Sequence, residues 1–225
     1  MRNSIDLIKN FIITNHLPHK VSNTEDLFAL LSFVDKYGNS ILSLSSSIED
    51  GALFNLLVRE ASSCGILDIV INACMPGDNG LPILYYSILS VKTLSTVRLL
   101  ENGAKVNGKY GKDKSSAIHL AAFVGNQEIL ETILKYTPDI NATDANLYTA
   151  LHIAAESISR FGFQHAMKII NILLEAGASH HLINQDSDTY KDIIDMSDNV
   201  SDDESGVVES YDSAELPLPD TALIG

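Results

Sequence analysis

The sequence predicts an all-α fold, a short stack of helical hairpins. Two observations carry that expectation. A motif recurs at a fixed interval: Ser116-Ala117-Ile118-His119-Leu120-Ala121-Ala122 matches Thr149-Ala150-Leu151-His152-Ile153-Ala154-Ala155, and the two histidines lie 33 residues apart. Apolar residues beyond each motif recur at helical spacing, as Ile129, Ile133 and Leu134 and again as Ile169, Ile170, Leu173 and Leu174. That spacing draws one apolar stripe along each helix. A single hairpin cannot bury its stripe alone, so stacking has to supply the core.

The local chemistry agrees with the pattern. Ser116 and Thr149 stand where the first helix of each hairpin begins, and a hydroxyl there accepts from an orphan backbone N–H, worth about 1 kcal/mol. The paired alanines let neighbouring helices approach closely. Gly103 and Gly177 follow the second helices, where a left-handed residue ends a helix at little cost.

The repeated motif resembles the ankyrin-repeat family, whose pattern is Thr-Pro-Leu-His-x-Ala at a period of 33. Weaker copies fall in the same register. Leu81-Pro82-Ile83-Leu84 places Leu84 at the histidine position, and residues 96–107 look like the outer helix, glycine turn and finger that complete that repeat. Gly38-Asn39-Ser40-Ile41-Leu42-Ser43 keeps the Gly-x-Ser start with Ser43 in the histidine slot. Thr189-Tyr190-Lys191-Asp192 reads as a partial last copy with Asp192 in that slot, after an outer helix and glycine turn at 173–179. The spacings between the motif centres Ser43, Leu84, His119, His152 and Asp192 are 41, 35, 33 and 40. The first and last intervals therefore hold insertions, the last around residues 157–165. The resemblance implies an ankyrin-repeat solenoid of about four repeats plus a partial C-terminal one over residues 35–194. A helical cap is expected over 1–34, from helices at 4–15 and 24–34 with Thr24 capping the second. Residues 195–225 read as a disordered acidic tail.

Composition narrows the function classes. Net charge is −14, which argues against coating nucleic acid, because phosphates need Lys and Arg. Nine of the 29 acids lie in residues 195–225 without a Lys or Arg, leaving −5 on residues 1–194. No apolar run is long enough to cross a bilayer, and Asp6, Lys9 and Asn10 interrupt any signal peptide. Cys64 and Cys74 are too few for a disulfide framework and read as small buried hydrophobes in a reducing compartment.

The search for chemistry yields little. His119 and His152 invite a general-base reading, but at this motif position the resemblance implies that the imidazole ties the turn to neighbouring backbone. His180-His181 lack a cysteine pair at zinc spacing, and no phosphate-binding, nucleophile-elbow or metalloprotease motif occurs. Gly108-Lys109-Tyr110-Gly111-Lys112 falls at a tip between repeats and reads as a solvated finger. No enzyme activity, cofactor or metal site is expected.

The resemblance implies protein binding through finger tips and the inner-helix face. On this chain that nominates Tyr37, Asn79, Tyr110, Lys112, Leu147 and Tyr148 on the tips, and Tyr86, Phe123 and Glu156 on the inner helices. Tyrosine is a frequent interface anchor. Of Tyr85 and Tyr86, only one is expected to face the groove, and Phe161 and Phe163 are expected to pack the insertion. The expectation is a monomeric intracellular adaptor, cytoplasmic, binding a protein and neither nucleic acid nor membrane. An alternative follows from 11 Lys against 4 Arg and 16 Asn, a usage that fits an AT-rich genome. A small ankyrin protein of that kind resembles host-directed effectors of intracellular bacteria or viruses, delivered into the host cell. In the tail, Ser201 precedes three acids, and Ser205 and Ser210 resemble a phosphodegron with an extra spacer; a solubilising tail is the favoured reading.

Overall fold

The computed structural model describes residues 23–33, 40–49, 51–74 and 80–198. The expected helix at 4–15, Tyr37, Asn79, and Ser201, Ser205 and Ser210 of the tail lie outside the described residues. Contacts divide the chain into two compact units, one up to Lys105 and one from Val106.

The first unit contains α1 (Thr24–Ser32), α2 (Ile41–Ser46), α3 (Ala52–Ser63), α4 (Leu67–Ile71), α5 (Ile83–Leu89) and α6 (Thr93–Glu101). Asn23, not Thr24, caps α1: its side chain is one residue earlier on extended backbone and accepts from the Asp26 N–H at 2.8 Å. Thr24 is already inside the helix. At the start of α2, the Ser40 N–H donates to Ser43 Oγ at 2.9 Å while the Ser43 N–H donates to Ser40 Oγ at 3.1 Å. A serine in the histidine slot thus still completes a capping box. At α5 the polar pair is replaced by Leu81 and Leu84, both buried.

Arg98 on α6 holds the end of α2. Its guanidinium donates to the carbonyls of Ser46 at 2.8 Å, of Glu49 at 2.7 Å, and of Ile48. These include the carbonyls that a helix C-terminus leaves without intrahelical partners. The seat requires Gly51, whose φ is +62° and where an added Cβ would stand 2.6 Å from Arg98 Nη2.

Cys64 and Cys74 are free and exposed, contrary to the expectation of burial. The buried stripe of α3 is Phe54, Leu57 and Ala61. The helix ends at Ser63, so Cys64 leaves that face as the cap residue; Cys74 pairs with Pro82 in an isolated bridge.

The second unit contains α7 (Ala117–Val124), α8 (Gln127–Leu134), α9 (Ala150–Glu156), α10 (Ile158–Phe161), α11 (Phe163–Glu175) and α12 (Tyr190–Asp198). Helix α9 packs on α7, α11 and α12. Both alanine pairs are fully buried, as are Ile129, Leu130, Ile133, Ile169, Ile170 and Leu173. Each such Leu or Ile contributes about 1.5–3 kcal/mol of apolar burial. Leu134 and Leu174 are only half-buried at the stripe edges, and the buried Leu130 escaped the sequence reading.

The insertion folds into α10 and the first turn of α11. Phe161 lies against Gly125, and the Gly125 carbonyl accepts from His165 Nε2 at 2.7 Å. Phe163 is 43% exposed, so only one of the two phenylalanines packs. Helix α12 runs through Asp198, past residue 194. Among the described residues there is no strand, only two isolated bridges, and no helix is long and apolar enough to cross a membrane.

Arg98→Ala should leave several buried-side carbonyls without a donor and lower unfolding stability by about 2–4 kcal/mol. Urea unfolding measures it, and an unchanged midpoint would contradict the role given to the guanidinium.

Candidate protein-binding surface

Two fingers of the second unit are built by a side chain that replaces missing backbone partners. Asp144 Oδ1 accepts from the N–H groups of Asn146 at 2.8 Å and Tyr148 at 2.9 Å. The backbone closes the same turn, Asp144 N–H donating to the Tyr148 carbonyl at 2.9 Å. The next finger repeats the design: Asn184 Oδ1 accepts from Asp186 at 2.9 Å and Asp188 at 3.0 Å. Successive fingers are joined by main-chain bonds, Ala145 N–H to the Asp113 carbonyl at 2.7 Å and Gln185 N–H to the Asn146 carbonyl at 3.0 Å.

Behind the fingers stand the two histidines. The Thr149 N–H donates to His152 Nδ1 at 3.1 Å, so that nitrogen is an acceptor and the ring proton sits on Nε2. Nε2 then donates to the Asp188 carbonyl at 3.0 Å. His119 does the same, accepting from the Ser116 N–H at 3.1 Å and donating to the Tyr148 carbonyl at 3.0 Å. Burial holds both imidazoles below the ordinary histidine value, which keeps them neutral. These contacts assign both histidines to structure. Asp192, in the same slot, accepts from the Thr189 N–H at 2.7 Å and hydroxyl at 2.6 Å. Those bonds lower its carboxyl pKa, the hydroxyl first.

The nominated residues separate once placed. Tyr86 is half-buried on α5 with its phenol raised by burial, while Tyr85 is fully in the core. Tyr110 folds its ring back over Gly108, where an added Cβ would lie 2.2 Å from it; it is half-buried rather than a projecting tip. Lys112 is exposed. Phe123 is half-buried under Arg160 of α10, whose guanidinium sits 4.3 Å from the ring centre and donates to the Phe123 carbonyl at 3.3 Å. One ring face is therefore taken by the chain itself. Leu147 is 50% exposed.

Tyr148 is half-buried, its ring 5.7 Å from that of His152. Its phenol and the Glu156 carboxylate act on one another. Burial raises the Tyr148 phenol, and the Glu156 charge adds to the effect. Partial burial also raises the Glu156 carboxyl, with Asp144 and Asp186 pushing the same way. Leu147 and Tyr148 stand just before the start of α9, and Glu156 is its last residue.

A family model of ankyrin repeats matches residues 84–184 in three copies. Residues 84–184 are ankyrin repeats. It is 28% identical over 185 residues to the nuclear factor NF-kappa-B p105 subunit of Gallus gallus, covering 80% of this chain and 17% of that protein. It is 26% identical over 126 residues to the p105 subunit of Mus musculus, covering 56% of this chain and 12% of that protein. The chain thus spans less than a fifth of the length of these relatives.

In ankyrin terms, Lys114, Leu147 and Ser187 occupy the glycine of Gly-x-Ser/Thr, two residues before Ser116, Thr149 and Thr189. All three keep left-handed backbone, with φ of 51°, 62° and 70°. The sequence reading nominated only Leu147 of these; the signal for the others was the same missing glycine. It also missed Arg160, Asp186 and Asn184, which no repeat consensus marks.

His152→Ala should orphan the Thr149 N–H and the Asp188 carbonyl and cost about 1–3 kcal/mol. The histidine pKa is lower folded than unfolded, so the unfolded chain binds more protons just below 6.5 and stability falls as pH drops through that value. Thermal melting from about pH 7.5 to 5.5 should show a steeper acid loss in the natural chain than in His152→Ala. Parallel slopes would contradict the buried neutral imidazole.

Proposed function

We propose that this ankyrin-repeat chain is a protein-binding adaptor and that its partner is engaged by the fingers of the second unit together with α9. Ankyrin repeats generally mediate protein–protein interaction. The carrying observation is Leu147. A leucine with φ of 62° pays about 1–2 kcal/mol for left-handed backbone and leaves half its surface in water. Glycine would remove both costs, so the leucine side chain is kept for something outside the fold. Strained positions of this kind cluster at binding sites. The relatives are subunits of nuclear factor NF-kappa-B, which supports a part played within an assembly.

The nine nominated residues do not contribute alike to this reading. Leu147, Tyr148 and Glu156 form its centre, Lys112 stands on the preceding finger, and Tyr110 and Phe123 are partly covered by their own chain. Tyr86 is held to the first unit, and Tyr37 and Asn79 add to the reading from sequence alone. No catalytic step, cofactor or metal enters, and the chain acts as a monomer in the cytoplasm. The Lys- and Asn-rich usage supports the narrower reading of a host-directed effector, and no feature of the fold adds to it.

Leu147→Gly separates binding from folding. It should leave stability within about 1 kcal/mol, since relief of left-handed strain offsets the added chain entropy. Affinity capture from a eukaryotic extract by the natural chain and by the variant, compared by mass spectrometry, should show a protein retained by the first and lost from the second. Identical captures would overturn the proposal.

A further inference from the structure

We infer that the surface formed by α9 and the finger that follows it, with Tyr148, Glu156, Asp186 and Asn184, takes a positively charged side chain, arginine or lysine, carried on an extended segment of a partner protein. The inference rests on the protein-binding reading above and names the chemistry of its ligand. Four acids belong to α9 and the two fingers beside it: Glu156 is the last residue of the helix, Asp144 lies on the finger before it, and Asp186 and Asp188 lie on the finger after it. Asp144 and Asp186 both act on the Glu156 carboxyl, and Glu156 and Asp186 both act on the Tyr148 phenol. Among the described residues the ion pairs are Arg59–Glu60 and Lys105–Asp68, so none of these four acids has one. Lys109, on the preceding finger, donates to the Thr143 carbonyl at 2.7 Å and forms no ion pair with Asp144.

A second observation comes from Asn184. It is 3% exposed, and its Oδ1 already accepts two backbone N–H groups. Its Nδ2 is a buried donor with no hydrogen-bond partner, and the side chain acts on the Tyr148 phenol. A buried amide N–H left unpaired is unfavourable, and an acceptor from outside removes the penalty.

The two needs differ in sign. The acids call for a cation, and the amide calls for a neutral carbonyl or similar acceptor. A peptide bearing a basic side chain supplies both, the charge to Glu156 and Asp186 and a backbone carbonyl to Asn184. The half-exposed Tyr148 ring between them offers an aromatic face to the same cation. A nucleic acid or an anionic lipid surface would meet like charge here.

Hexa-arginine, acetylated and amidated, is the probe, titrated into the full chain by fluorescence anisotropy with amide chemical shifts recorded in parallel. The double variant Glu156→Gln, Asp186→Asn is compared with Glu128→Gln, Glu175→Gln, which removes the same charge from exposed positions on α8 and α11. The first should weaken binding by about tenfold and the second by less than about twofold. Asn184→Ala should weaken it as well, and shifts should centre on residues 144–156 and 184–188. Equal effects of the two double variants, or shifts confined to the tail, would mean diffuse attraction to a net-negative chain and overturn the inference. If Leu147→Gly abolishes partner capture while the peptide fails to bind at this place, the protein-binding reading stands and the cationic ligand falls.

Discussion

Everything in the second unit depends on one bond type, an imidazole N–H reaching from the start of an inner helix to the carbonyl that begins the next. His119 reaches Tyr148 and His152 reaches Asp188. Each ring works in two directions at once, closing its own helix cap with Nδ1 and joining the neighbouring repeat with Nε2. That double duty is possible only for a neutral ring with one donor and one acceptor. Burial enforces neutrality, so the packing that the histidines hold in place also fixes the tautomer they need.

The fingers inherit their rigidity from the same arrangement. Because the Tyr148 carbonyl is held by His119 and its N–H by Asp144, the backbone on either side of that residue has little freedom. Leu147 is therefore presented from a fixed turn. A side chain shown on such a frame binds with less ordering entropy than one on a loose loop. The acids and the spare amide of Asn184 are positioned by the same turns, so shape and charge are set together.

Much of this was legible in the sequence where a residue type has one physical use. The hydroxyl–histidine pairs, the alanine pairs and the two glycine stops are dictated by local chemistry, and each took the role its spacing implied. The exposed cysteines, the half-buried Leu134 and Leu174, and Asn23 in place of Thr24 were not legible, because each turns on where a helix begins, ends or meets the rim of a face. The candidate surface was legible only in part. Leu147, Tyr148 and Glu156 could be nominated from motif position, whereas Arg160 covers Phe123 from an insertion that belongs to no repeat. Asn184 stands out only once its neighbours in space are known.

Asp192 makes the array directional. Its carboxylate closes the local cap as the histidines do, but it carries no proton to hand onward, so the relay from inner helix to following carbonyl stops there. Each link joins only neighbours, and stability in such arrays passes along the chain in the same way. Helix α12 is tied to α9 by its packing and by the bond that His152 makes to the Asp188 carbonyl just before it, and by no imidazole of its own. Opening from that side can therefore proceed one hairpin at a time, with α12 fraying first while α7 and α9 stay closed. Helix α9 and the finger of Asn184 lie at this boundary, so a ligand seated across Glu156 and Asn184 would clamp the least protected step of the array.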